Sequence, residues 1–247
     1  MRRTGYSQVP VVSDEEVLGV FSFRSFAQSS GRLTLEELNR SQQAPGEMHV
    51  VECLESFEYA RITEEMLRVF DALDKDNGIL VGTPEKLQGI LTPMDVLRYL
   101  HKVAQPFVLL SEIEHALRSL IKLAVSEEQL CLCAKKALKD LHDGKEEAVP
   151  TKLESMSFDN YRLLVVRGEN WPHFETTFGG TRSRADTKLK AIGELRNDVF
   201  HFKRLIVQDD IETLIAHRDW LLTKAKQADQ RNRQPQAKSD NGKSVIT

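Results

Sequence analysis

Only three cysteines occur in the 247 residues: Cys53, Cys131 and Cys133. An odd, irregularly spaced set is not the disulfide framework of a small secreted domain. Cys131-Leu132-Cys133 has neither the spacing nor the histidine partners of a zinc site. Buried or partly buried free thiols are expected, which favours a reducing cytoplasm. Long apolar runs are also lacking: none approaches the ~20 residues of a membrane-spanning helix. Met1-Arg2-Arg3-Thr4-Gly5 leads into no apolar signal-peptide core, so a soluble, cytoplasmic protein with no membrane partner is expected. Charge of one sign is scarce too, the formal net charge being −3. That excludes bulk electrostatic capture of nucleic acid and requires any such site to be a local basic patch. A phosphate-binding G-x-x-x-x-G-K-[ST] loop, a Rossmann glycine fingerprint and a Ser/His/Asp arrangement are all missing.

What is present suffices for globular cores, with 40% hydrophobic and 29% charged residues and room for one large or two ordinary domains. The first hundred residues contain an internal repeat at an offset of about 70 positions. Val9-Pro10-Val11-Val12 falls on Ile79-Leu80-Val81-Gly82, Val17 on Leu87, Gly19 on Gly89, Ser22 on Thr92 and Phe26 on Val96. Each copy reads as strand, turn, strand, glycine and helix start, with Asp14-Glu15-Glu16 and Pro84-Glu85-Lys86 as turns. Such self-similarity implies two copies of one unit packed together. The second copy adds a strand over 48–53 and a helix capped by Thr63, with Met66, Leu67, Phe70 and Leu73 at helical spacing. Thr34-Leu35-Glu36-Glu37 is a capping-box pattern between the copies, and 41–46 is a polar loop.

Pro106 is expected to end this region, because the residue before proline is pushed out of helical geometry. Beyond it the periodicity is helical. Leu110, Ile113, Leu117, Leu120, Ile121 and Ala124 form one stripe. Ser126-Glu127-Glu128-Gln129 caps a second helix, with Leu130, Ala134, Leu138 and Leu141 on one side and Gly144 at its end. A short helix is expected over 158–166, then a loop with Gly168, Pro172, Gly179 and Gly180, a long helix over 186–204 and a last one over 210–224. The polar, Gln/Asn/Lys-rich stretch from 226 to 247 reads as a disordered tail.

Ser7-Gln8-Val9-Pro10-Val11-Val12 and Gly89-Ile90-Leu91-Thr92-Pro93-Met94-Asp95-Val96 resemble the strand and turn of cystathionine-β-synthase (CBS) domains, which in pairs sense adenine nucleotides. The resemblance implies that residues 1–104 form a CBS pair, with a shortened first copy over about 1–30 and a second over about 47–104. It also implies AMP, ADP or ATP as a regulatory ligand, with Gly89 and Thr92 at the phosphate and Asp95 at the ribose. A helix N-terminus suits an anion, and a carboxylate accepts hydroxyl protons. The first copy has Ser25 where the aspartate belongs, so one competent site per chain is expected, although Arg24 remains to hold a phosphate. The structural alternative is that Thr92 caps a helix and Asp95 sits in its first turn.

Residues 105–225 resemble a HEPN domain, the small helical bundle of many bacterial defence and toxin proteins. The likeness rests on Leu109-Leu110-Ser111-Glu112-Ile113-Glu114-His115-Ala116-Leu117-Arg118, on Ser157-Phe158-Asp159-Asn160-Tyr161-Arg162-Leu163-Leu164 with Trp171, and on Arg196-Asn197-Asp198-Val199-Phe200-His201, which fits the Arg-x4–6-His motif. The implied chemistry is metal-independent RNA cleavage needing no cofactor. His201 would be the general base or acid, Arg196 would stabilise charge on the phosphate and Asn197 would orient a partner. Two motifs facing each other across a homodimer are also implied. On an ideal helix Asn197 and His201 share a face, whereas Arg196 and His201 lie about 140° apart. The alternatives are that Arg196 pairs structurally with Glu112 or Glu114 and that the bundle is a non-catalytic regulatory or partner-binding module. Arg182, Arg184 and Lys188 lead into the motif helix and are candidates to track an RNA backbone. Glu112, Glu114 and His115 lack a facing ligand for a metal, and His173 beside Trp171 reads as a packing residue. The expected architecture is therefore an α+β N-terminal part with short sheets, followed by an all-α bundle.

Overall fold

The computed structural model describes residues 6–14, 16–32 and 48–233. The protein is mixed α and β and mostly helical, with its strands confined to the N-terminal part. It divides into two compact units at His101/Lys102, three residues before the expected boundary.

The first unit carries the repeat. Strands β1 (Gln8–Ser13) and β2 (Glu16–Ser22) lead into helix α1 (Phe23–Arg32). Strands β3 (Leu54–Glu55) and β4 (Tyr59–Ala60) and helix α2 (Met66–Asp76) follow. Strands β5 (Ile79–Thr83) and β6 (Lys86–Leu91) then lead into helix α3 (Pro93–Ala124), which continues past the division. The two hairpins share one register at the 70-residue offset. Val11 faces Gly19 as Val81 faces Gly89, and Ser13 faces Glu16 as Thr83 faces Lys86. The bulge recurs as well, between Val11 and Val12 and between Val81 and Gly82. At Gly82, with φ +121°, a Cβ would stand 2.3 Å from the Lys86 carbonyl oxygen, so the tight second bulge requires glycine.

The strands form two three-stranded sheets, β1-β2-β3 and β4-β5-β6, with β4 and β5 parallel and the other pairs antiparallel. Val20 and Leu80, from β2 and β5, are buried against Phe57. This contact ties the two copies together, as the repeat implied. A second cluster sets Val69, Ala72 and Leu73 of α2 against Ala60, Ile79 and Val96.

Three local expectations are corrected here. Residues 48–53 do not form a strand: Val50–Cys53 is a 3-10 turn, and pairing begins only at Leu54. Thr63 does not cap α2, whose N-cap is Glu65 with no side-chain bond. The buried face of α2 is Val69, Ala72 and Leu73, while Met66, Leu67 and Phe70 are exposed. The capping pattern at 34–37 and the loop at 41–46 lie outside the described residues.

Among the described residues the second unit contains helices and no strand. Pro106 does not end a helix but lies buried within α3; its missing N–H costs one ladder bond without terminating the helix. Then come α4 (Glu127–Leu138), α5 (Phe158–Val166), α6 (Trp171–Phe178), α7 (Arg182–Phe200) and α8 (Gln208–Arg233). Ser126 caps α4 by accepting from the Gln129 N–H, and Ser157 caps α5 by accepting from the Asn160 N–H. Leu130, Ala134 and Leu138 are buried, but Leu141 lies beyond α4 and is exposed.

The expected loop after α5 contains helix α6. Pro172 sits in its first turn, where no intrahelical N–H is needed, and Gly179 ends it with a positive φ of +66° that favours glycine. Helix α8 runs on to Arg233, so the expected tail is helical as far as that residue. Ala228 is buried there, and Arg231 donates to the Thr176 carbonyl at 2.9 Å.

The core packs Ile113, Leu117, Leu120 and Ile121 of α3 against Leu138, Tyr161, Leu164, Phe174, Leu189 and Leu214. Each such apolar side chain contributes about 1.5–3 kcal/mol on burial. Cys133 and Cys53 are buried free thiols and Cys131 is half-buried. Among the described residues, no helix is long and apolar enough to cross a membrane.

Candidate functional site

In the first unit the repeat brings two helix starts to one cleft of about 330 Å³, lined by Ser22, Phe23 and Arg24 from one copy and Thr92, Pro93 and Met94 from the other, together with Glu55 and Asp76. Each helix start is closed by the same reciprocal cap. Ser22 Oγ accepts from the Ser25 N–H at 2.9 Å, and Ser25 Oγ accepts from the Ser22 N–H at 2.9 Å. Seventy residues on, Thr92 Oγ1 accepts from the Asp95 N–H at 3.4 Å, and Asp95 Oδ2 accepts from the Thr92 N–H at 3.0 Å. Thr92 Oγ1 also donates to Asp95 Oδ2 at 2.6 Å. Ser25 therefore does the capping work of Asp95 and is buried doing it.

Of the three residues implied as nucleotide ligands, only Thr92 lines the cleft. Asp95 faces its own cap and Arg98, at 3.6 Å, while Gly89 lies within β6 opposite Val81. The carboxylates on the cleft are Glu55, which accepts from Ser22 Oγ, and Asp76; the cation is Arg24. No motif in the sequence marked Glu55 or Asp76, because their place depends on strand and helix ends far apart along the chain. Ser25→Ala and Asp95→Ala are each expected to destabilise the unliganded first unit by about 1 kcal/mol, the usual cost of a lost cap. Equal denaturant midpoints for both variants and the parent protein would contradict these caps.

In the second unit, Arg196 and Asn197 line a cleft of about 360 Å³ with Ser157, Asp159, Arg162, Lys190, Gly193 and Glu194. The Arg196 guanidinium lies 5.0 Å from the centre of the Phe200 ring and donates to Asn197 Oδ1 at 3.4 Å. Its Nε is shielded from water and has no hydrogen-bond partner among the described residues. Phe200 packs edge-on against Phe107 at 5.6 Å. The motif helix was expected over 186–204, but it begins at Arg182 and ends at Phe200. His201 is its C-cap, with its backbone N–H on the Asn197 carbonyl. The His201 side chain is exposed and does not line the cleft that holds Arg196 and Asn197.

The proposed structural ion pair of Arg196 is not formed. Glu114 pairs with Arg118 and Glu112 with Arg218. His115 Nδ1 lies 2.7 Å from the Ser111 carbonyl oxygen on its own helix, so these three side chains do not converge. Among the described residues no group of three or more His, Cys, Asp or Glu side chains has metal-holding geometry. His173 is exposed on α6, with Nε2 3.2 Å from Gln129 Nε2, rather than packed in a loop.

The basic candidates on α7 separate. Arg182 reaches towards Gly168 and lines a cleft with Arg167 and Ser183. Lys188 instead feels the charges of Arg184 and of Lys224 from α8, and Arg184 and Lys224 lie over the neighbouring Gly180 and Gly179. No protein-family model matches the chain, and comparison with curated proteins found no relative.

Proposed function

We propose that the chain is a sensor–effector: a CBS-like pair that takes an adenine nucleotide, and a HEPN-like bundle that cuts RNA without a metal ion in a homodimer. The supporting observation is that Arg196 and Asn197 line one cleft with Lys190, which forms no ion pair among the described residues and could meet a phosphodiester. Arg162 on the same cleft is held by Asp159 and Asp186. His201, at the exposed end of α7 and outside that cleft, would reach the substrate of a second chain. In the first unit, Arg24 and two helix starts on one cleft suit a phosphate, while Glu55 and Asp76 suit ribose hydroxyls. Defence or toxin activity is the setting such an enzyme would serve.

A second reading, a bundle that binds RNA or a protein without cutting, is favoured by one feature. The Arg196 guanidinium is occupied by Phe200 and Asn197 rather than directed to His201. The deciding experiment incubates the purified protein with single-stranded and transfer RNAs, with and without EDTA and each adenine nucleotide. Cleavage that survives EDTA and leaves cyclic-phosphate ends supports the enzyme; intact RNA under every condition supports the second reading. Sedimentation showing only the 28.1 kDa chain at micromolar concentration would remove the two-chain site.

For the sensor, a saturating nucleotide should raise the melting temperature, by about 2.7 kcal/mol of stabilisation at a hundredfold excess over Kd. Arg24→Ala should lose most of that increment, as should Asp95→Ala if its carboxylate turns to the ribose. Ser25→Ala should keep the increment. An unchanged increment in Arg24→Ala would move the nucleotide out of this cleft.

A further inference from the structure

Arg184 and Lys188 stand one turn apart on α7, and Lys224 meets them from α8. The Lys188 ammonium lies 4.5 Å from the centre of the Trp220 ring, and that ring is tilted against Phe178 at 6.3 Å. The Lys224 ammonium lies over the turn before α7, 2.8 Å from where a Cβ on Gly179 would stand. The Arg184 stem lies 3.9 Å from the corresponding point on Gly180. Burial, then repulsion from Arg184 and Lys224, holds the Lys188 ammonium below the ordinary lysine range. Burial, then repulsion from Lys188, pushes His217 below the ordinary histidine range.

Among the described residues none of the three cations forms an ion pair. The acids nearest in sequence are engaged elsewhere: Asp186 with Arg162 at 2.7 Å, Asp219 with Arg218 at 2.9 Å and Asp229 with Arg233 at 3.0 Å. Three like charges gathered without a counter-charge oppose folding. Elsewhere in the bundle Arg204 shows the opposite arrangement, one cation holding both Asp198 and Asp210. An anion from outside the chain would complete it.

We propose that Arg184, Lys188 and Lys224 grip the phosphodiester backbone of single-stranded RNA, with the Trp220 ring holding Lys188 in place. This rests on the RNA reading of the bundle. The cluster spans two helices, and its three cations, with no counter-charge among the described residues, match the repeating charge of a strand, whose single-stranded sites span roughly 4–16 nucleotides. His201 lies about 140° around α7 from Lys188 and belongs to another face. Arg182 belongs to another face and takes no part.

The test uses the full chain and a labelled 12-nucleotide strand carrying 2′-O-methyl groups, which keeps the phosphodiesters and removes the nucleophile needed for cleavage. The double variant Arg184→Met/Lys224→Met should bind this strand about tenfold or more weakly. Its plot of log affinity against log salt should be shallower by about 1.4, for two phosphates at ~0.7 each. It should melt no lower than the parent protein, because removing repelling charges does not destabilise. Lys188→Met should weaken binding in the same way.

Unchanged affinity and salt slope in the double variant overturn the proposal. So does tripolyphosphate raising the melting temperature of a parent protein that does not bind the strand. A protein that binds the strand through these cations yet cuts no RNA loses the nuclease reading and keeps this one. Cleavage with an unchanged KM in the double variant does the reverse.

Discussion

His201→Ala is expected to lower the rate of RNA cleavage by roughly 10²–10⁴-fold, the usual loss when a general acid or base is removed, and EDTA should leave the parent rate unchanged. Arg196→Ala should do comparable damage by removing the charge that answers the developing negative phosphate. Both variants should stay folded. His201 is an exposed C-cap, and Arg196 gives up a ring contact worth about 0.5–1 kcal/mol. The geometry makes a sharper demand, because Arg196 and Asn197 line a cleft that His201 of the same chain does not. If a dimer builds each site from the arginine of one chain and the histidine of the other, the two dead variants complement. Statistical mixing in equal amounts makes half the dimers heterodimers, each with one intact site of two, so about a quarter of the parent activity should return. No recovery after unfolding and refolding the mixture would place both groups in one chain's site, against the present reading.

The repeat was legible because its signals are local. Apolar pairs, a turn and a cap at fixed spacing set the 70-residue offset that the two hairpin registers share, although Glu16 and Lys86, read as turn residues, already pair in the strands. The same locality made Ser126 readable as a cap, whereas the Ser157 cap emerged only with the structure. Where sequence reading failed, a tertiary contact outweighed the local signal. Helix α6 was hidden between Pro172 and Gly179, two residues that also punctuate helix ends, and its burial of Trp171, Phe174 and Phe178 is what stabilises so short an element. Helix α8 runs two turns past its apolar pattern because Arg231 docks on α6. In α2 apolar residues lie on two faces, and spacing alone selected Met66, Leu67 and Phe70, which are exposed, with Leu73, which is buried, and passed over the buried Val69 and Ala72. The candidate sites divide in the same way. Arg196 and Asn197 could be read as neighbours, but the pairing of Lys188 with Lys224 and Trp220, more than thirty residues away, could not.

Asn170 gives the largest stability effect expected from a residue that no sequence motif marked. It is fully buried at the start of α6, and its side-chain amide donates to the Cys133 carbonyl at 2.9 Å and the Leu164 carbonyl at 3.0 Å. One amide thus joins α4, α5 and α6. Its oxygen has no partner, and turning the amide over would set that oxygen against two carbonyls, so the donating orientation is the stable one. Asn170→Ala should remove both bonds and leave the Leu164 carbonyl without a partner, while the Cys133 carbonyl keeps its place in the α4 ladder, destabilising the bundle by about 2 kcal/mol. That corresponds to roughly 4–8 °C in the melting temperature of a unit this size. Asn170→Asp should be worse at neutral pH, because it sets a buried carboxylate against two carbonyl oxygens. The folded protein then holds that carboxyl above its unfolded pKa of about 3.9, so the protonated form is favoured on folding. The relative stability of Asn170→Asp should therefore be greatest below that unfolded value and fall as pH rises through the higher folded one. Asn170→Ala should show no such added slope relative to the parent protein. Denaturant melts of the three proteins across the acid range read the difference directly, and parallel curves for Asn170→Asp and Asn170→Ala would show that position 170 is open to water.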